Sequence, residues 1–191
     1  MLATTMVGRD IQRQDLHARS QDAAPVGRAP VLSLREVSVR NEQNIATLAD
    51  VTVDIFGGEI FGVAGVAGNG QRELTEILTG LMTPSAGTVL LDGQAAPSGA
   101  AAFAKAGVGH IPQDRLNSAL APSLGITDNM AVREYDRPPI GKGVLYQAAA
   151  ARALAGTIAD VAEVRIPDFA MPVRNLSGGN QQRLVARREM R

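Results

Sequence analysis

The sequence predicts an α/β fold, and three observations carry that expectation. Hydrophobic residues make up 45% of the 191 and aromatic residues only 3%. The core must therefore be built from Val, Leu, Ile and Ala in close helix–sheet contact, which suits α/β layers better than an aromatic-rich sandwich. Period-two alternation of apolar and polar residues recurs from residue 31 onward, as half-buried strands require. Finally, a short apolar run enters the stretch Gly65-Val-Ala-Gly-Asn-Gly-Gln-Arg-Glu-Leu74, which passes into an amphipathic helical pattern. Strand, glycine-rich turn and helix follow one another there.

Taken in order, residues 1–29 are polar and run into the Pro/Gly/Ala stretch QDAAPVGRAP, which reads as a tail and linker. VLSLREVSV (31–39) and ATLADVTVDI (46–55) alternate at period two and are joined by a polar turn at Asn41 to Asn44, so an antiparallel pair is expected. GGEIFGVAG (57–65) is expected as a third, short strand. QRELTEILTGL (71–81) follows as a helix, with Leu74, Ile77, Leu78 and Leu81 on one face. TPSAG turns the chain, TVLLDG (88–93) is a strand ending in a tight turn, residues 100–106 form a short helix, and GVGHIP (107–112) is another strand. Beyond it the texture is helical: ITDNMAVREY, the loop DRPPIGKG, and an Ala-rich run from Tyr146 to Val164. RNLSGGNQQRLVARREMR closes the chain as a loop leading into a helix. There is no internal repeat and no coiled-coil heptad.

Charge and composition exclude several classes. The 19 basic and 19 acidic residues cancel, which argues against a general nucleic-acid surface. With no cysteine, disulfides and thiolate metal sites are ruled out, and a reducing cytoplasm is the simple expectation. The start, MLATTMVGRD, has no apolar core of a signal peptide, and no apolar run is long enough to cross a bilayer. A link to a membrane is therefore expected to run through a partner.

The glycine stretch is the first candidate site. Backbone N–H groups at a tight turn, backed by the positive end of a helix, bind phosphate without any side chain. Taken alone the signal is weak, because ordinary tight turns share it. A dinucleotide fingerprint is the rival, with Asp92 about 20 residues on to hold a ribose. However, Gly65, Gly68 and Gly70 run G-x-x-G-x-G, the reverse of that pattern, and Asp92 is followed by Gly93 as in a hairpin turn.

A second motif, LSGGNQQR, opens the last helix with a serine and two glycines, and HIPQDR lies between the two. Together and in this order, the three resemble the ATP-binding subunits of ABC transporters. On that resemblance Gly65, Gly68, Asn69, Gly70, Gln71 and Arg72 fall on the nucleotide-binding Walker A loop, and Gln113 on the catalytic Q-loop glutamine. Leu176, Ser177, Gly178, Gly179, Asn180 and Gln181 fall on the signature motif. The wording is similar to the second, degenerate half of the tandem ATPases of ribose-type sugar and nucleoside importers. MVGRD near the start is similar to the peptide that ends their first half.

The resemblance implies a partial P-loop NTPase with a RecA-like core, an antiparallel β-subdomain and an α-helical subdomain. Residues 1–29 would be the tail of a preceding half. Residues 30–191 would be a nucleotide-binding domain incomplete at its C-terminus, with β-subdomain and Walker A core at 30–112, helical subdomain at 113–175 and signature helix at 176–191. It implies ATP and Mg2+ as cofactors, bound weakly here or at a partner site, with no metal ligands in this chain. The implied partners are the other nucleotide-binding half and membrane permease subunits, with a substrate-binding protein reached indirectly and no nucleic acid. The implied place is peripheral, at the cytoplasmic face of the plasma membrane.

This sequence departs from the family pattern. Gln71 stands where a Walker lysine would wrap the β- and γ-phosphates, and Arg72 where a hydroxyl would ligate magnesium. A charge-assisted hydrogen bond contributes about 1.5–3 kcal/mol, so the change lowers affinity by about one to two decades. No aromatic residue between Val31 and Asp54 offers a face for adenine. The family's Asp-Glu strand and switch histidine have no counterpart: the two histidines are His17 and His110, and His110 is expected to be structural. Asp114 and Arg115 are expected to pair on the surface beside Gln113. Two functions follow as expectations: a half that donates its signature to a partner's ATP site, or a non-catalytic nucleotide-binding or interaction module. Either way, these 191 residues alone should not turn over ATP, because the positioned charge that drives phosphoryl transfer is missing. A phosphate-release assay on the purified chain checks this.

Overall fold

The computed structural model describes residues 28–66, 68–142 and 144–191. His17 and all but the last three residues of the expected linker stretch QDAAPVGRAP lie outside them. The chain divides into two compact units, Met1–Phe103 and Ala104–Arg191.

The described part of the first unit is organised by a four-stranded antiparallel sheet. Strands β1 (Leu32–Arg40), β2 (Ala46–Ile55), β3 (Ala86–Leu91) and β4 (Gln94–Ala95) lie in the order β2-β1-β3-β4. The hairpin of β1 with β2 stands where the alternation predicts it. Its apolar residues change phase midway, however. Leu34 pairs with Val53 but Val37 pairs with Val51, with Glu36 bulged at φ 51°. The extra residue returns Val37 to the face that Leu34 occupies, so both are fully buried. Gly87 of β3 lies against this bulge, where a Cβ would fall 2.3 Å from the Glu36 carbonyl oxygen. At the other end Asp92 and Gly93, both at positive φ, make the tight turn into β4.

Helix α1 (Gln71–Leu78) forms where its apolar spacing places it, burying Ile77. It is shorter than expected. Thr79 ends it, and the N–H of Leu81 turns back to the Glu76 carbonyl, so Leu81 lies beyond the helix and is exposed. A second helix, α2 (Ala100–Lys105), follows as predicted.

The two strands expected over 57–65 and 107–112 do not form. A strand exists by pairing, and among the described residues neither segment has a ladder partner. Ile60 is 98% exposed, and Phe61, Val63 and Ile111 are exposed with it.

The second unit is mainly helical. Its elements are α3 (Arg115–Ser118), α4 (Ile126–Ala131), a two-residue hairpin of β5 (Gly141–Lys142) with β6 (Leu145–Tyr146), α5 (Ala148–Val161), a 3-10 turn (Val173–Asn175) and α6 (Gly178–Glu189). The Ala-rich run is α5, and it buries Ala151, Ala155, Ile158 and Ala159, one stripe at helical spacing. Small residues let neighbouring helices approach closely, and Ile126, Met130, Val173, Leu184 and Val185 close the core around them. Asn129 is buried among them; its amide holds the preceding loop through the backbone of Ala121, Leu124 and Gly125. No helix among the described residues is long and apolar enough to cross a membrane.

Candidate functional site

The glycine loop lies in the first unit, while Gln113 and the signature residues lie in the second.

At the glycine loop the chain turns through Gly68 (φ 94°), with the N–H of Asn69 on the Val66 carbonyl, into Gly70 at the N-terminus of α1. Among the described residues the N–H groups of Arg72 and Glu73 have no acceptor, as the first turn of a helix requires. The side chains oppose a strong phosphate site. The Gln71 amide folds back over Gly65, so close that a Cβ on Gly65 would fall 2.7 Å from its Nε2. Arg72 is drawn the other way: its Nε donates to Glu76 Oε1 at 2.8 Å, one turn along the helix. That bond raises the guanidinium pKa above its ordinary value. Glu73 puts a carboxylate in the first turn, where it already complements the helix dipole. The loop therefore presents backbone donors, one neutral amide and a single guanidinium, exposed and paired through its Nε with Glu76.

Gln113 is exposed in a bend just before α3. The expected Asp114–Arg115 surface pair is absent. Asp114 instead caps α3, accepting from the side chain of Asn117 at 2.7 Å and from its backbone N–H at 3.1 Å. These two bonds, the side-chain one foremost, hold the Asp114 carboxyl below the usual carboxylate range. A carboxylate stabilised this way keeps the cap above its ordinary pKa and gives it up as pH falls through the lowered value. The Asn117 amide resonance should accordingly shift only in acid below the ordinary aspartate range, which an NMR titration reads directly. Arg115 turns away from Asp114, and its Nε donates to Gln181 Oε1 at 3.2 Å.

The signature residues are brought together at the start of α6. Leu176 packs on the core of this unit. Ser177 is the N-cap: its Oγ accepts from the Asn180 N–H at 3.4 Å, and the helix starts at Gly178, two residues earlier than Asn180. Gly179 is exposed, and a Cβ there would meet nothing within 4 Å. Gln181 is 3% exposed and bonds inward. The first turn of α6 contains no acidic residue, and Arg187 and Arg188 occupy its last turn. Beyond the one donor that Ser177 caps, no acidic side chain of the first turn offsets the positive end of the helix, which leaves it open to an anion.

Periodicity and motif spacing miss one polar cluster. Glu189 is almost fully buried and accepts from Arg133 at 2.7 Å, from Arg188 at 2.9 Å and from the backbone N–H of His110. His110 therefore serves through its backbone, in no strand. The only sequence signal for this cluster is the Arg-Arg-Glu run on a helix whose neighbouring positions are apolar. A separate cleft of about 400 Å³ in the same unit is lined by Asp128, Arg152, Asp168 and Phe169, with Arg152 stacked 3.4 Å above the Phe169 ring. It contains none of the expected site residues.

A family model described as ABC transporter matches residues 48–190, which include both glycine motifs and Gln113. The chain belongs to the ABC transporter family. Among its ABC relatives is the guanosine import ATP-binding protein NupO of Bacillus subtilis (strain 168), 35% identical over 99% of this chain and 36% of that protein. A ribose import ATP-binding protein, RbsA 1 of Agrobacterium fabrum (strain C58 / ATCC 33970), is 36% identical over 94% of this chain and 33% of its own length. The chain thus spans about a third of the length of these curated relatives. In fold it is similar to the dimeric, post-hydrolysis structure of an ATP-binding cassette bound to ADP and Pi. The TM-score is 0.66 at 22% identity, covering 83% of this chain and 68% of that one. The ABC ATPase fold, a mixed α/β P-loop NTPase with an antiparallel sheet, is thereby shown for this chain.

Proposed function

We propose that this ABC chain is the second nucleotide-binding half of a sugar or nucleoside importer's ATPase, and that its main task is to donate the signature motif to ATP held by the other half. In this reading residues 30–112 carry the β-subdomain and glycine loop, 113–175 the helical subdomain and 176–191 the signature helix. The observation that carries it is the contrast between the two motifs. The glycine loop is poorly equipped, since Gln71 is neutral where a lysine is expected and the Arg72 Nε is drawn along the helix to Glu76. Gly179, by comparison, stands open at the positive end of α6, whose first turn has no acidic residue. The import functions of the named relatives, and the dimeric nucleotide-bound neighbour, agree with it.

Mg2+ does not fit this chain's own loop. Arg72 replaces the hydroxyl ligand, and among the described residues no group of three His, Asp or Glu side chains converges on a point. The metal therefore belongs with the partner's site. ATP is bound at this loop weakly, through backbone N–H groups, while Gln113 addresses the reaction and the permease from the second unit. The assembly works peripherally at the cytoplasmic face, with permease subunits as direct partners and a substrate-binding protein as an indirect one.

ATP-driven uptake by the importer reconstituted in vesicles tests the reading. Ser177→Ala removes one hydroxyl donor and should slow ATP turnover moderately, whereas Gly179→Asp should abolish uptake. Normal uptake by Gly179→Asp would leave the non-catalytic interaction module as the better account. A separate check is titration calorimetry of ATP on this half. Gln71→Ala removes only a neutral amide, worth at most about 0.5–1.5 kcal/mol toward a solvated phosphate. Gly68→Ala, at a left-handed backbone with open space around it, re-aims the loop N–H groups and should weaken binding more. A larger loss for Gln71→Ala would mean that side chains, and not backbone donors, hold the nucleotide.

A further inference from the structure

Gly178 and Gly179 are neighbours in sequence but not in surroundings. A Cβ at Gly179 meets nothing within 4 Å, whereas one at Gly178 falls 2.5 Å from Nη2 of Arg115. Arg115 reaches this position as the first residue of α3, and its Nε donates to Gln181 Oε1 at 3.2 Å. Gln181 in turn is buried, and its Nε2 donates to the carbonyls of Val173 at 3.2 Å and Leu176 at 2.9 Å. That amide has two donor hydrogens and both are used, while Oε1 depends on Arg115. Without Arg115 a buried oxygen loses its partner, the amide is free to turn, and the carbonyl just before Ser177 loses its fixed donor. Asp114 does not compete for the guanidinium, because Asn117 occupies its carboxylate.

We propose that Arg115 is a positioning residue of the signature loop. Through Gln181 it fixes the backbone from Val173 to Leu176, and its guanidinium lies across Gly178, leaving Ser177 and Gly179 exposed to the partner's nucleotide. The proposal rests on the reading of this loop as a phosphate donor. It gives the two glycines separate reasons: Gly178 admits Arg115, and Gly179 admits the incoming phosphate. A side chain at 178 would push the guanidinium aside, which is easy for the tip of a flexible side chain but breaks its bond to Gln181.

The test is a double-mutant cycle in the assembled importer, read in ATP turnover and in the unfolding midpoint of the same preparations. Arg115→Ala and Gly178→Ala should each lower kcat about tenfold with KM for ATP within about twofold, and the double variant should be no worse than the worse single one. Arg115→Lys keeps the charge but lacks the planar fork and should not restore turnover. In the unfolding midpoint the sign should reverse. Gly178→Ala lowers it when Arg115 is present and raises it in the Arg115→Ala background, where only the better helix propensity of alanine remains. Losses that multiply, a midpoint lowered in both backgrounds, or full turnover by Arg115→Lys would each overturn the proposal. Should Gly179→Asp retain full turnover, the phosphate-donor reading itself fails, while the midpoints still decide whether Arg115 holds the loop.

Discussion

Gly179→Asp is expected to abolish ATP-driven uptake by the proposed importer while leaving the protein at least as stable as before. The two halves of that expectation have different physical origins. For stability, Gly179 lies in the first turn of α6, with ordinary helical backbone and nothing within 4 Å of a Cβ. An aspartate there replaces a poor helix former and complements the helix dipole, a gain of about 0.3–1 kcal/mol. For function, the new carboxylate stands where the proposed signature role needs a dianionic phosphate to approach. Two unit charges 4 Å apart near a protein surface repel by about 4 kcal/mol, which corresponds to a loss of roughly three decades. Uptake into vesicles and a thermal melt on the same preparation measure both halves. A variant that melts early would lose activity for a trivial reason, and one that transports normally would remove this half as the signature donor.

Gly70→Val is expected to unfold the first unit, and the milder Gly70→Ala to lower its unfolding free energy by about 2–5 kcal/mol. The glycine motif suggests that Gly70 is needed so that the loop can approach a phosphate closely. The structure gives a prior reason. Gly70 is buried, its φ is 83°, and a Cβ would fall 2.4 Å from the Thr47 carbonyl oxygen and 2.7 Å from Leu48 Cδ2. The clash is with the backbone of β2, which cannot swing aside as a side-chain tip can. The left-handed conformation adds its own strain for any L side chain. Denaturant unfolding of the purified chain, with and without ATP, separates the two accounts. If Gly70→Ala melts normally and only binds nucleotide less well, the packing argument is wrong.

Much of the fold was legible because it is local. The alternation of β1 and β2, the Asn41–Asn44 turn, the Asp92-Gly93 turn and the Ala-rich α5 each stand within a residue or three of their expected positions. In all of these the deciding interactions lie within a few residues or across a short hairpin. The order of the three motifs in Gly65–Arg72, Gln113 and Leu176–Gln181 also pointed to the family that the match over residues 48–190 shows, because such motifs are read along the chain without knowing the fold.

Where sequence reading failed, the deciding partner lay far off along the chain. The apolar runs at 57–65 and 107–112 have strand composition, but a ladder needs a neighbour that composition cannot name. The phase change in β1 needed a bulge at Glu36, visible only once Val37 is found opposite Val51. Arg115 shows the same limit at the candidate site. Its neighbour Asp114 suggests an ion pair, yet Asn117 takes the carboxylate and the guanidinium goes to Gln181, 66 residues away. The sequence alone therefore determined the family, the order of its motifs and the neutral Gln71 in the glycine loop, since these depend on which residues are present. Only the tertiary structure decided that Gly70 is a packing glycine, that Gly178 and Gly179 face different surroundings, and that Arg115 bonds Gln181 beside Gly178. Those are facts about distance, and distance between remote residues is set by packing.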